Sequence, residues 1–202
     1  MKLTWYGHAC FMLETAEGSI VFDPYEDGYI TNLKLPEITA DKVICSHGHG
    51  DHSAAELIKL TDKAPVFSIT QIPCFHDGVR GLKRGKNLIT VVESEGKRIA
   101  HMGDIGHMLS ATQLETLGHI DVMMIPVGGT YTVDAEEAKR LCGDIKPVTV
   151  VPMHYRMGNA GLQNVASVDS FLGLFGEDEV LRLDGNTWDM EEKSAHVVVF
   201  EL

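Results

Sequence analysis

The sequence predicts an α/β fold, a sandwich of two β-sheets with helices outside, on three observations. Strand-length apolar segments crowd the first part of the chain, strands then alternate with helical patterns, and no repeat, low-complexity tract or linker intervenes. A length of 202 residues, 44% hydrophobic and 23% charged, is ordinary globular composition and fits one packed domain over 1–202.

The chain opens as a meander of strands at Lys2 to Tyr6, Ala9 to Leu13 and Ser19 to Phe22, with turns at Gly7 and Glu17-Gly18. A polar loop leads to Pro36, and Lys42 to Cys45 forms a short apolar strand. Ser53 and Glu56 have capping-box spacing, which predicts a helix through Leu60. Strands follow at Val66 to Ile69, Leu88 to Val92 and Lys97 to His101. Ser110 and Gln113 cap a helix near Thr112 to Leu117, and Val122 to Val127 reads as a buried strand. The helix from Asp134 to Cys142 places Ala135, Ala138, Leu141 and Cys142 on one face. Val148 to Met153 is a second buried strand, Ser167 to Phe175 a last helix ended by Gly176, and strands at Val180 to Leu183 and Ala195 to Phe200 finish the chain.

Composition excludes some partners. A formal net charge of -12 disfavours long nucleic acid, whose affinity comes from lysine and arginine on phosphates, but it leaves room for a small anion held locally. The N-terminus lacks the layout of a secretory signal, and the apolar stretches are strand-length, so the expectation is a soluble cytoplasmic protein without a membrane partner. Cys10, Cys45, Cys74 and Cys142 form no C-x-x-C pair and suit reduced core positions. Oligomeric state stays open.

The chemistry concentrates in Ser46-His47-Gly48-His49-Gly50-Asp51-His52. Residues two apart point the same way from an extended loop, so His47 and His49 can grip one cation while Asp51 and His52 face a neighbouring position. The glycines let the backbone bend and leave room for metal and water. Imidazole with carboxylate and no thiolate suits zinc, iron, manganese or nickel. A structural metal site would be closed by four protein ligands, and this chain offers more than one metal needs.

The H-x-H-x-D-H run, with histidine and aspartate at later strand ends, resembles the metallo-β-lactamase superfamily. More narrowly, YGHACF, Phe22 to Pro24, SHGHGDH, CFHD, AHMGDIGH, IPVGGTYTVDAEEA and VVPMHY resemble the small cytoplasmic branch related to L-ascorbate-6-phosphate lactonase and, more distantly, to N-acyl-phosphatidylethanolamine phospholipase D. The resemblance implies a four-layer αβ/βα sandwich of two mixed β-sheets. It implies two divalent metal ions, zinc favoured, with His47, His49 and His76 on the first, Asp51, His52 and His154 on the second, and Asp104 between them. Asp23 reads as a carboxylate behind a ligating imidazole. His101, His119 and His196 read as ordinary histidines.

The expected reaction is metal-assisted hydrolysis of an ester-type bond, a lactone or phosphodiester, with Asp51 orienting the attacking water. Protonation of the leaving group falls to the bridging site's own proton or to His8, His107 or Tyr155, and the sequence does not choose. Between His76 and Leu88 four basic residues gather in Asp77 to Lys86, a reversal of sign in an acidic chain. This loop predicts a small anionic substrate anchored by Arg80 or Arg84, with Tyr155 also placed at the substrate. Two other readings stand beside it: a single-iron oxidoreductase of the same fold, and a non-catalytic metal-binding domain. β-Lactam hydrolysis is disfavoured, since fold does not fix substrate.

Overall fold

Alternation between two apolar faces decides the first elements: Phe11 and Leu13 enter one core cluster while Met12 between them packs on another, because successive side chains of a strand point to opposite faces. The computed structural model describes residues 1–192 and 195–202. Its strands are β1 (Lys2–Trp5), β2 (Phe11–Thr15), β3 (Gly18–Phe22), β4 (Ile38–Ala40), β5 (Lys42–Ile44), β6 (Ile58–Leu60) and β7 (Ser68–Phe75), followed by β8 (Lys86–Ser94), β9 (Lys97–His101), β10 (Val122–Pro126), β11 (Thr149–Met153), β12 (Val180–Arg182), β13 (Thr187–Asp189) and β14 (Val197–Val199). The helices are α1 (Ala111–Leu117), α2 (Ala135–Ile145) and α3 (Asp169–Leu172).

One sheet has the order β13-β1-β2-β3-β5, antiparallel except for the parallel pair β3/β5. The other runs β12-β14-β11-β10-β9-β8-β7, parallel from β12 to β9 and antiparallel beyond. Both are mixed sheets, as expected, and one apolar cluster joins them: Trp5, Phe11 and Phe22 of the first share it with Ile89, Ile99, Met124 and Val151 of the second. β10 and β11 are buried along their whole length, as parallel strands covered on both faces must be. The result is an α/β sandwich of two mixed sheets, with few and short helices.

Three expectations need correction. The helix from Ser53 to Leu60 does not form. A single 3-10 turn at Ala55–Leu57, without a side-chain cap, leads into β6, which pairs with β4 in a two-stranded parallel ribbon. Tertiary pairing overrides the local cap signal there. The helix from Ser167 to Phe175 shrinks to α3, with Gly173, a poor helix former, at its end. The strand beginning at Val66 starts instead at Ser68 and runs through Pro73 to Phe75, since an edge strand tolerates proline. By contrast, Ser110/Gln113 and Asp134/Glu137 form complete capping boxes, and the buried residues of α2 are Ala138, Leu141 and Cys142.

Candidate metal centre

The parallel pairing of β3 with β5 puts the residues after each strand side by side. Asp23, in left-handed backbone (φ 45°), takes hydrogen bonds at 2.6 Å from both the amide and the hydroxyl of Ser46. His52 donates to the same carboxylate through Nδ1 at 2.7 Å. Because the Ser46 hydroxyl is already spent on Asp23, its oxygen accepts from His47 Nδ1 at 2.9 Å. His76 Nδ1 donates to the carbonyl of Tyr131 at 3.2 Å. In three imidazoles, then, Nδ1 is tied back and the Nε2 lone pair is left to the interior, the orientation that metal-binding histidines require.

The second sheet supplies the rest from strand ends: His76 follows β7, Asp104 lies just beyond β9, and His154 follows β11. Asn87 holds the Asp104 amide at 2.9 Å. Gly106 is obligatory, since a Cβ there would sit 2.6 Å from the Asp77 amide nitrogen and from the His76 carbonyl carbon. Asp104 reaches three histidines at once: its Oδ1 is 3.2 Å from His52 Nε2, and its Oδ2 is 3.0 Å from His76 Nε2 and 3.2 Å from His154 Nε2. Ligand atoms of His47, His49 and His76 lie within 4.8 Å of one another, as do those of His8, Asp51, His52 and His154.

Charge and hydrogen bonding favour a cation. Burial would raise the Asp104 carboxyl, but His154 and His52 hold it well below the usual range. Asp51 is likewise held low, against its burial, by His8 and His52. Burial, with neighbouring histidines, lowers His8 and His47 to about 3, the neutral form that ligates. Burial opposes charge on His52 too, yet Asp104 and Asp23 raise it well above the ordinary value, the same attraction a metal cation would feel. His47 Nε2, His52 Nε2, His154 Nε2 and Asp104 Oδ1 are buried without a hydrogen-bond partner. Such groups are costly unless something answers their lone pairs, and this nitrogen and oxygen donor set fits a divalent metal.

A cavity of about 280 Å³ opens beside the cluster. His49, Asp51, His76 and Asp104 line it together with Tyr29, Arg84, Tyr131 and Leu162. Arg84 donates to the Thr130 carbonyl at 2.9 Å and lies over the Tyr131 ring at 5.4 Å. Arg80 is exposed outside this cavity, because the loop reverses through positive φ at Arg80 and Gly81 while the Asp77 carboxylate gathers the amides of Val79, Gly81, Lys83 and Arg84.

Two more candidates lie elsewhere. Tyr155 is buried against Trp5 (5.4 Å between rings) and lines a larger, 660 Å³ cavity that holds none of the candidate ligands, the chain having left β11 through His154 in left-handed backbone (φ 54°). His107 is spent on backbone, accepting from the Phe75 amide at 3.1 Å and donating to the Met108 carbonyl at 2.7 Å. His8 lies inside the cluster, 3.3 Å from Asp51 through Nε2, with its ring 4.0 Å from that of His154. His101 stacks on Phe22 and bonds the Ala9 carbonyl, while His119 contacts Asp121 and His196 the Val148 carbonyl. Ser46, Asn87 and Tyr131 escaped the sequence reading. Only Ser46, directly before the histidine run, carried a local signal.

Residues 2–154 match the family described as the β-lactamase superfamily domain. The UPF0173 metal-dependent hydrolase of Archaeoglobus fulgidus is 29% identical over 195 residues, covering 77% of this chain and 83% of its own. The UPF0173 protein of Pyrococcus abyssi is 30% identical over 181 residues, with 77% and 83% covered. Among solved structures, one from Thermotoga maritima, described as a candidate Zn-dependent hydrolase of the metallo-β-lactamase superfamily, is 36% identical. It superposes with a TM-score of 0.78 over 98% of this chain and 97% of its own.

Proposed function

The chain belongs to the metallo-β-lactamase superfamily, among the UPF0173 metal-dependent hydrolases, and from that premise we propose that it hydrolyses an ester-type bond in a small anionic substrate with a dinuclear centre. The observation that carries this reading is Asp104, one carboxylate in contact with His52, His76 and His154 between two ligand clusters. His47, His49 and His76 would hold one cation and Asp51, His52 and His154 the other, with Asp104 shared. Zinc is the favoured metal, and manganese, iron and nickel fit the same donors. Metal there supplies Lewis acidity and a lowered pKa for water.

The chain's own residues do the rest. Asp51 lines the cavity and orients the attacking water, while His8, walled in behind it, positions Asp51. Arg84, with no carboxylate within ion-pair distance among the described residues, fixes a phosphate or carboxylate of the substrate in a fork of hydrogen bonds. A phosphorylated lactone, as in the L-ascorbate-6-phosphate lactonase branch, or a compact phosphodiester fits this site, which we place in one cytoplasmic domain spanning 1–202.

The test is a pooled screen of lactones and phosphodiesters with metal-replete protein. Turnover should vanish with chelator and return with metal, and a fully metallated protein inert to every ester would overturn the reading. Arg84→Ala should raise KM for an anionic substrate about tenfold or more and spare a neutral analogue, whereas Arg80→Ala should change neither. Equal kinetics in all three proteins would leave the loop with no part in binding.

A further inference from the structure

Besides the candidate ligands and a single guanidinium, the cavity is lined by Tyr29, Tyr131 and Leu162. Each is held by backbone. The ring of Tyr29 rests on the metal loop so closely that a Cβ on Gly50 would lie 2.6 Å from its Cε2, and the Glu26 amide bonds the Gly50 carbonyl at 2.9 Å. Leu162 is carried by the segment after β11, which is tied to the Tyr29 loop by Gly161 N–H to Thr31 O and by Asn32 Nδ2 to Asn159 O, both 2.9 Å. Tyr131 spans the site: its carbonyl holds His76, its ring underlies Arg84, and its hydroxyl accepts from Asn164.

We infer that Tyr29, Tyr131 and Leu162 form an apolar subsite, so that the substrate is amphipathic, carrying a hydrocarbon or aromatic group of about one ring beside its anionic group and scissile bond. This rests on the hydrolase reading and deepens it. Tyr131 links the His76 end to the Arg84 end within one residue, so the anion and the reacting bond belong to one compact skeleton. A volume of about 280 Å³ encloses about one ring beside the anionic group and the scissile bond. Tyr29 and Leu162 act as specificity-determining residues: they exclude water from the apolar group of the substrate, and a hydrophilic substrate of equal charge forgoes that burial.

Calorimetric titration of the metal-replete protein with phenylphosphonate and methylphosphonate isolates this contribution, since the two anions share a headgroup and differ in the ring. Phenylphosphonate should bind about tenfold or more tightly. Leu162→Asn and Tyr29→Ser should each erase most of that preference while leaving methylphosphonate within about twofold, and Arg84→Gln should weaken both anions together. Tyr29 is 51% exposed, so its replacement leaves the core intact should Leu162→Asn fail to fold. Equal affinities for the two phosphonates, or a ring preference untouched by both wall variants, would overturn the subsite while the hydrolase reading stands. Failure to bind either anion at full metal occupancy overturns the subsite as well, and failure to bind metal at all refutes the parent reading.

Discussion

In the proposed centre Asp104 is fully buried whereas His49 is exposed. His49 is exposed on its loop, so His49→Ala should leave the stability of metal-free protein within about 0.5 kcal/mol while abolishing hydrolysis, read by thermal unfolding and by rate. Activity unchanged in that variant, or in Asp104→Ala, would sink the ligand assignment. Asp23 acts at one remove, through the Nδ1 of His52. Asp23→Asn weakens that acceptor and should lower metal affinity about 10- to 100-fold, measured by competition with a chromophoric chelator. An unaltered affinity would leave Asp23 as a turn residue only. At this scale residue type was legible and partnership was not. Nothing local to Tyr131 announces that its carbonyl serves His76.

Among elements, the loop after β7 is organised by one carboxylate. Burial alone would raise Asp77, but the amides of Arg84, Gly81, Val79 and Lys83 outweigh it and bring the group to about 2, from an ordinary 3.8. A folded-state pKa below the unfolded one stabilises fully above about pH 3.8, and that contribution is lost as pH falls towards 2. The gap in melting temperature between metal-free parent and Asp77→Asn should therefore be wide at pH 6 and close near pH 2. A gap independent of pH would show the loop to be held by something else. On α2, Asp134→Ala removes both the N-cap and the capping box, which should cost about 1 kcal/mol and lower the melting temperature by roughly 2–4 °C. That cap was readable because its partners lie three residues apart. The same signal at Ser53 misled because β4 captures the segment from elsewhere in the chain.

For the molecule as a whole, the seven candidate ligands lead us to expect two metals per chain at full occupancy, counted by elemental analysis of protein purified without added metal and then loaded. One tightly bound metal that survives loss of both Asp51 and His154 would contradict the dinuclear proposal. Chelation should lower the melting temperature, because a cation that binds only the folded state stabilises it by mass action. The sequence by itself determined the ligand chemistry, the mixed α/β character and the apolar faces, since these reside in residue type and in spacings of two to four positions. Only the tertiary structure decided that Arg84 rather than Arg80 reaches the cavity, that His107 is spent on backbone, and that Tyr155 turns away from the histidine beside it. Those outcomes depend on how the Asp77 loop folds back and on the pairing of β3 with β5 and of β9, β10 and β11, which bring distant strand ends together and which no local pattern in the chain encodes.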